Sequence, residues 1–294
     1  HEGFMAATRR QMMSDVPLGA FLSGGLDSSA IVACMRQSYP DREISCYTLG
    51  FDSEELKREG FENDFPYAKR VADHLGVTFK SKMLDANVVD LLPKVVYHMD
   101  EPDADPTAIL TYIVAEMAHQ DGIRVLLSGT GGDEVFFGYR SHQACREYER
   151  WRYIPKWLAK AGLGGLVKIG GAIQGAHGPV ARRANKFMRG LNADGIDRHM
   201  ALVDWSQPEI RDSILSDSHK GRALRGAPES LERYYRDFVG KGEINRHSHL
   251  LIQTFLAAHN FLYTDKCSMA FSVETRVPFM DTELMQLCAR IPEH

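Results

Sequence analysis

The segment SGGLDSS, Ser23 to Ser29, constrains this chain more than any other feature, because it follows directly on the apolar run PLGAFL (Pro17 to Leu22). A buried strand over 17–22, then a glycine turn, then a helix from Asp27 to about Gln37 is the reading that accommodates all three stretches. Gly24 and Gly25 let the backbone turn tightly and come close to a ligand with no Cβ in the way. The N–H groups of the turn and of the first helical residues then face outward, where the helix dipole favours an anion. Ser23, Ser28 and Ser29 add hydroxyl groups around the same point. Asp27 inside such a site is electrostatically odd unless a cation accompanies the anion, and Mg²⁺ takes both carboxylate and phosphate oxygens. No Lys follows the glycines, so this is not a Walker-type loop. A capped helix would need only one Ser or Asp.

A second corner has the same grammar. LSGTGGDEVFFGY (Leu127 to Tyr139) also follows an apolar run, Ile123 to Leu127, and carries Gly129, Gly131 and Gly132. Alone, its Asp133 reads as a helix cap. In an open parallel sheet, however, ligands sit beyond the carboxyl ends of neighbouring strands. Two such corners can meet over one nucleotide, with Asp27 and Asp133 sharing the metal ion.

The rest of the first half alternates strand and helix patterns. EISCYTLGF and VTFKSKML read as further strands; a helix spans about Pro66 to Leu75 with Gly76 as its stop, and others span 88–98 and 108–119. The polar stretch 52–64 reads as a loop. The expected fold is α/β: a Rossmann-like parallel sheet, of the adenine nucleotide alpha hydrolase-like kind, flanked by helices, with an all-helical C-terminal part. Residues 151–242 hold 16 Lys and Arg against 9 Asp and Glu, whereas the remainder holds 19 against 30. That shift sets the expected organisation: 1–150 an α/β core, 151–242 a basic and mostly helical connector, 243–294 a helical segment completing the site. The glycines of KWLAKAGLGGLVKIGGAIQG argue for a solvated connector over a basic amphipathic membrane helix.

A net charge of −4 argues against a nucleic-acid partner. No run of ~18 apolar residues offers a membrane span, and HEGFMAATRRQMM lacks the apolar core of a secretion signal. Five dispersed cysteines without metal or redox spacing fit reduced thiols and a cytoplasmic setting. His247 and His249, with His259, offer imidazoles, but no carboxylate or thiol at helical spacing joins them, so surface or helix-end histidines are expected. Ser23 and Ser28 lack the elbow of a hydrolase nucleophile, and Tyr139 and Trp151 read as packing residues.

Four stretches, SDVPLGAFLSGGLDSSAIVA, EPDADPTA, LLSGTGGDEVFFGY and DKCSMAFSVETRVPFMD, resemble the asparagine synthetase family, in that order and over essentially the whole chain. The resemblance implies an ATP-pyrophosphatase-type synthetase domain of a glutamine-dependent amidotransferase. It implies that ATP and Mg²⁺ are bound, that a carboxylate, aspartate foremost, is adenylated, and that ammonia from a glutaminase domain converts it to the amide, releasing AMP and pyrophosphate. By motif, Ser23, Gly24, Gly25, Asp27, Ser28 and Ser29 correspond to the pyrophosphate loop. Leu22, Leu49 and Gly129 correspond to the adenosine contacts, and Asp27 and Asp133 to the metal ligands. The stretch Asp265 to Asp281 corresponds to the segment beside the acceptor. There Arg276 could hold a carboxylate by a two-pronged hydrogen bond with Glu274 orienting it, or the two could be a pair that fixes the fold. A homodimer is compatible with the resemblance.

The resemblance also marks departures. The glutaminase domain with its N-terminal cysteine, and a lysine-bearing stretch after the VPF-D segment, are not in the sequence, so the chain reads as a nearly inactive fragment. Position 130 is Thr where asparagine-forming members carry Glu, which leaves the acceptor open. The basic middle region and WSQPEIRDSIL resemble members from surface-polysaccharide and secondary-product pathways. A macrolactam or other peptide-bond synthetase on the same chemistry, a tRNA-modifying member of the fold group, and a non-catalytic nucleotide-binding module stand as alternatives.

Overall fold

The computed structural model describes residues 1–51, 64–101, 103, 105–151, 153–154, 158, 179–204, 213–216 and 229–291. The expected loop at 52–64 (apart from Asp64), the glycine-rich stretch 156–175 (apart from Leu158) and most of WSQPEIRDSIL lie outside the described residues. The chain divides into two compact units: residues 1–136 with 255–292, and residues 137–254.

In the first unit, helix α1 (Glu2–Gln11) precedes β1 (Leu18–Phe21), α2 (Leu26–Ser38), β2 (Ser45–Phe51), α3 (Phe65–Leu75) and β3 (Thr78–Leu84). Gly76 closes α3 in the left-handed conformation, φ 61°, the geometry glycine adopts without a Cβ penalty. A 3₁₀ turn (Ala86–Leu91) leads into α4 (Leu92–Met99), then α5 (Thr107–Gln120), β4 (Val125–Leu127) and the short α6 (Gly132–Phe136). The later part of the unit holds α12 (Phe261–Met269), β5 (Glu274–Arg276), a 3₁₀ turn (Pro278–Met280) and α13 (Thr282–Cys288).

The five strands form one sheet in the order β3-β2-β1-β4-β5, and every pairing is parallel. Apolar side chains from both faces of the strands are buried, as a parallel sheet covered by helices requires. Ala20, Leu22, Cys46, Val125 and Leu127 pack with Ile31, Val32 and Met35 of α2 and with Ala7 of α1 on one side. Tyr47, Leu126 and Val273 pack with Val114 and Ala118 of α5 on the other. The α/β Rossmann-like expectation is therefore met. One strand was not part of it: β5, inside the final third read as helical, extends the sheet beyond β4. Side-chain contacts tie that region to α1. Phe4 stacks on Phe279 with centroids 4.8 Å apart, and Arg10 Nε donates to Asp281 Oδ2 at 2.8 Å. Asp281 in turn caps α13 by accepting from the N–H groups of Glu283 and Leu284.

The second unit is helical among its described residues: α7 (Arg140–Trp151), α8 (Pro179–Asn192), α9 (Ile196–Val203), α10 (Glu229–Asp237) and α11 (Glu243–Leu251). Cys145, Tyr148, Leu191, Leu202 and Ile244 form its core, with Trp151 packed against it as a plain packing residue. A π-helical turn, Ile252–Asn260, follows α11. No helix among the described residues is long and apolar enough to cross a membrane.

Candidate nucleotide site at the sheet's switch point

From β1 the chain moves outward through β2 to β3, then returns to place β4 and β5 on the other side of β1. The crevice at such a reversal, beyond the carboxyl ends of β1 and β4, is where ligands of open α/β sheets sit. Both glycine corners emerge there, because Ala20 pairs with Leu127 at the ends of the two strands.

The first corner is held by its own serines. Ser23 Oγ lies 3.0 Å from Ser28 Oγ, the Ser23 N–H donates to Ser28 Oγ at 3.2 Å, and the Gly25 N–H donates to Ser23 Oγ at 3.3 Å. Gly24 has φ +81°, and a Cβ there would stand 2.7 Å from the Tyr67 carbonyl carbon on α3. The buried Ser29 Oγ, at the start of α2, has no hydrogen-bond partner among the described residues. Leu22 is buried at the foot of the turn, its N–H donating to the Tyr47 carbonyl at 2.9 Å, and Leu49 lies partly buried on β2.

The second corner closes onto the first. A Cβ on Gly129 would sit 2.9 Å from the Ser28 amide nitrogen, and one on Gly132 would sit 2.5 Å from Asp27 Cγ and 2.9 Å from its Oδ1. Only glycine admits this approach, so the carboxylate of Asp27 rests against the first residue of α6. Asp133 is the next residue. Burial, with the nearby Asp133 charge as the smaller cause, pushes the Asp27 carboxyl up to about 6; burial also raises Asp133. Neither carboxylate has a hydrogen bond or ion pair with a described residue. Two partly buried acids thus repel each other, which is costly unless a cation joins them.

Ser128 was not singled out from the sequence. Its Oγ lies 2.8 Å from Thr130 Oγ1 and accepts from the Thr130 N–H at 3.2 Å. The repeat Leu-Ser-Gly at 22–24 and 127–129 was the available signal for it.

Glu274 and Arg276 lie one strand away, on β5. The Arg276 carbonyl accepts from the Ser128 N–H at 2.8 Å, so its backbone touches the second corner. Its side chain turns elsewhere. Nε donates to Glu274 Oε1 at 2.9 Å and Nη2 to Oε2 at 3.2 Å, while Nη1 reaches the carbonyls of Gln11 and Met13 at 2.9 and 2.6 Å. Beyond β5 a cavity of about 540 Å³ is lined by Glu101, Asp265, Thr264 and Thr275, with Phe261 and Leu262 as apolar wall. Of the histidines noted from sequence, His259 pairs with Asp105 Oδ2 at 3.0 Å, and His247 is fully buried in the second unit.

An open parallel sheet with two mutually packed glycine corners at its reversal defines the Rossmann-like α/β class, whose ligands lie beyond the strand ends. Within that class the chain belongs to the asparagine synthase family, whose model matches residues 1–294. Asparagine synthetase (glutamine-hydrolyzing) 1 of Bacillus subtilis is 30% identical over 283 residues, covering 96% of this chain and 42% of that protein. A putative asparagine synthetase (glutamine-hydrolyzing) of Mycobacterium tuberculosis is 28% identical over 293 residues, 96% of this chain and 40% of that protein. The amidase chry2 of Gibberella zeae is 25% identical over 320 residues, 99% of this chain and 45% of that protein. The chain thus spans less than half the length of these relatives.

Proposed function

We propose that the chain is the synthetase portion of an ATP-dependent amide ligase. The observation that carries this reading is the carboxylate pair: Asp27 lodged against Gly132, raised to about 6 beside Asp133. The donor set fits Mg²⁺, a hard cation that takes carboxylate oxygens and keeps the remainder for phosphate. When bound, Mg²⁺ supplies positive charge that draws the phosphates to the two acids and offsets the charge on departing pyrophosphate.

Ser23, Ser28 and Ser29, with the N–H groups around Gly24 and Gly25, hold the β- and γ-phosphates. Leu22, Leu49 and Gly129 form the wall for adenosine. A substrate carboxylate oxygen attacks the α-phosphorus, the bond to the β-phosphate oxygen breaks, and pyrophosphate leaves. Ammonia then attacks the acyl carbon, a proton is lost from nitrogen, and AMP departs. The protein supplies positioning and charge compensation rather than a nucleophile of its own. Aspartate is the first candidate acceptor, and the relatives' glutamine-hydrolyzing names support ammonia from a glutaminase domain. Glu101 and Asp265 in the neighbouring cavity suit an acceptor that also bears an ammonium group. Five free cysteines support a reducing, cytosolic setting.

A second reading, a different acceptor on the same chemistry, is favoured by the neutral Ser128–Thr130 hydroxyl pair in the second corner and by the likeness to an amidase. Exchange of labelled pyrophosphate into ATP, measured on this chain and on any longer natural form, separates the cases. Exchange that requires aspartate supports the first, and exchange that requires an amino-sugar acid or peptide acid supports the second. No exchange with any of them contradicts the ligase reading.

Of the two roles open to Glu274 and Arg276, the fold-fixing one has the better support, since every Arg276 side-chain nitrogen is engaged with Glu274 or with the Gln11 and Met13 carbonyls at the end of α1. Arg276→Ala is expected to lower stability by about 2 kcal/mol, from two freed carbonyls and a lost ion pair, and to leave Mg·ATP affinity within about twofold. Denaturant unfolding and calorimetry check both; weakened nucleotide binding at unchanged stability would return Arg276 to the substrate.

A further inference from the structure

We propose that the second unit holds a structural zinc site formed by Cys145, His199 and His247. The three residues come from α7, α9 and α11, far apart in sequence. All are buried, at 0%, 2% and 0% exposure, and one donor atom from each lies within 4.8 Å of the others. Nδ1 of His199 stands 3.1 Å from Nδ1 of His247. Two nitrogens bound to one tetrahedral zinc at ~2.0–2.1 Å are ~3.3 Å apart, so the pair already has nearly that spacing. The rings stack with centroids 5.3 Å apart.

The cluster sits inside an apolar core of Tyr148, Leu191, Leu202 and Ile244, where polar groups need partners. One proton can lie between the two Nδ1 atoms, the place that an ion would take. Glu243 Oε2 is 3.4 Å from His199 Nε2, placed as the outer carboxylate that orients a zinc-bound imidazole. The neighbouring His142 ring is 5.4 Å from that of His247; its Nδ1 accepts the Tyr139 N–H at 3.3 Å, which turns it away from the role of ligand.

The ion takes a lone pair from each imidazole, which stays neutral with its proton on the other ring nitrogen, and the thiolate of Cys145, whose proton is released to water. A fourth position remains for a water. Because the cluster is sealed, the metal enters during folding, and it ties three helices together. This site is independent of the glycine corners and of the proposed ligase activity.

Metal analysis of the purified chain, and refolding in Co²⁺, test it. About one zinc per chain should survive dialysis. The cobalt protein should show strong tetrahedral visible bands and a sulfur-to-cobalt charge-transfer band. Cys145→Ser should remove the charge-transfer band, and His199→Gln should cut loading about tenfold or more. Absence of zinc together with weak octahedral cobalt bands, the signature of oxygen ligands such as Asp27 and Asp133, would overturn the site. That spectrum needs no variant to fold.

Discussion

Replacing Asp27 by Asn should weaken Mg·ATP binding by about 100-fold or more while raising the melting temperature of the ligand-free protein. The first effect follows from removing one of two charged oxygen ligands, a loss of about 3 kcal/mol or more. The second follows from the raised carboxyl. Its folded value of about 6 exceeds the ordinary 3.8, so the fold favours the protonated form. Stability contributed by this group is full below about 3.8 and is lost as pH rises through about 6. Asn keeps the neutral form at every pH. After discounting for the solvent that reaches a half-buried group, the gain is about 1 kcal/mol near pH 8, or roughly 2–4 °C, and it should shrink towards pH 5. Calorimetric titration and thermal melts at both pH values read the two effects. A residue retained only to cap α2 would give the opposite sign in the melt, and unchanged nucleotide affinity would remove Asp27 from the site.

The adjacent glycines should behave in opposite ways. Gly24 needs its φ of +81°, and a Cβ there would press on the backbone of α3. Gly24→Ala should therefore cost about 2–4 kcal/mol of stability. Gly25 lies at φ −68° and ψ 165°, a conformation open to any residue, and its Cβ would meet only Ser23 Oγ at 3.3 Å. Gly25→Ala should leave stability unchanged or raised by about 0.5 kcal/mol, yet weaken nucleotide binding about 30-fold or more, because a methyl group would stand where phosphate approaches. Retained affinity in Gly25→Ala would mean that the ligand lies elsewhere.

Both corners were legible because each obeys local rules: an apolar run, then serine and glycine, then an acid at a helix start. The strands with clear runs, Ser45–Phe51 and Thr78–Leu84, were legible for the same reason. Contact between the corners was inferred from strand order, and the mutual packing of Gly132 and Asp27 gives it a geometric basis. Other features had no local signature. β5 is three residues long, too short for a period to show, and only pairing with β4 makes it a strand. The side-chain course of Arg276 depends on carbonyls more than 260 residues away in sequence. The histidine cluster is likewise non-local. His247 was read with its sequence neighbours, whereas its partners come from helices 48 and 102 residues upstream. A search at helical spacing within one segment could not have found them.

The central claim is that the two corners jointly hold a metal-bound triphosphate. A crystal grown with Mn²⁺ and a non-hydrolysable ATP analogue tests it most directly, since the ion marks itself by anomalous scattering. The account predicts one manganese peak within about 2.5 Å of both the Asp27 and Asp133 carboxylates, with phosphate oxygens over Gly25. A peak coordinated by neither acid, with the phosphates away from both glycine turns, would contradict it.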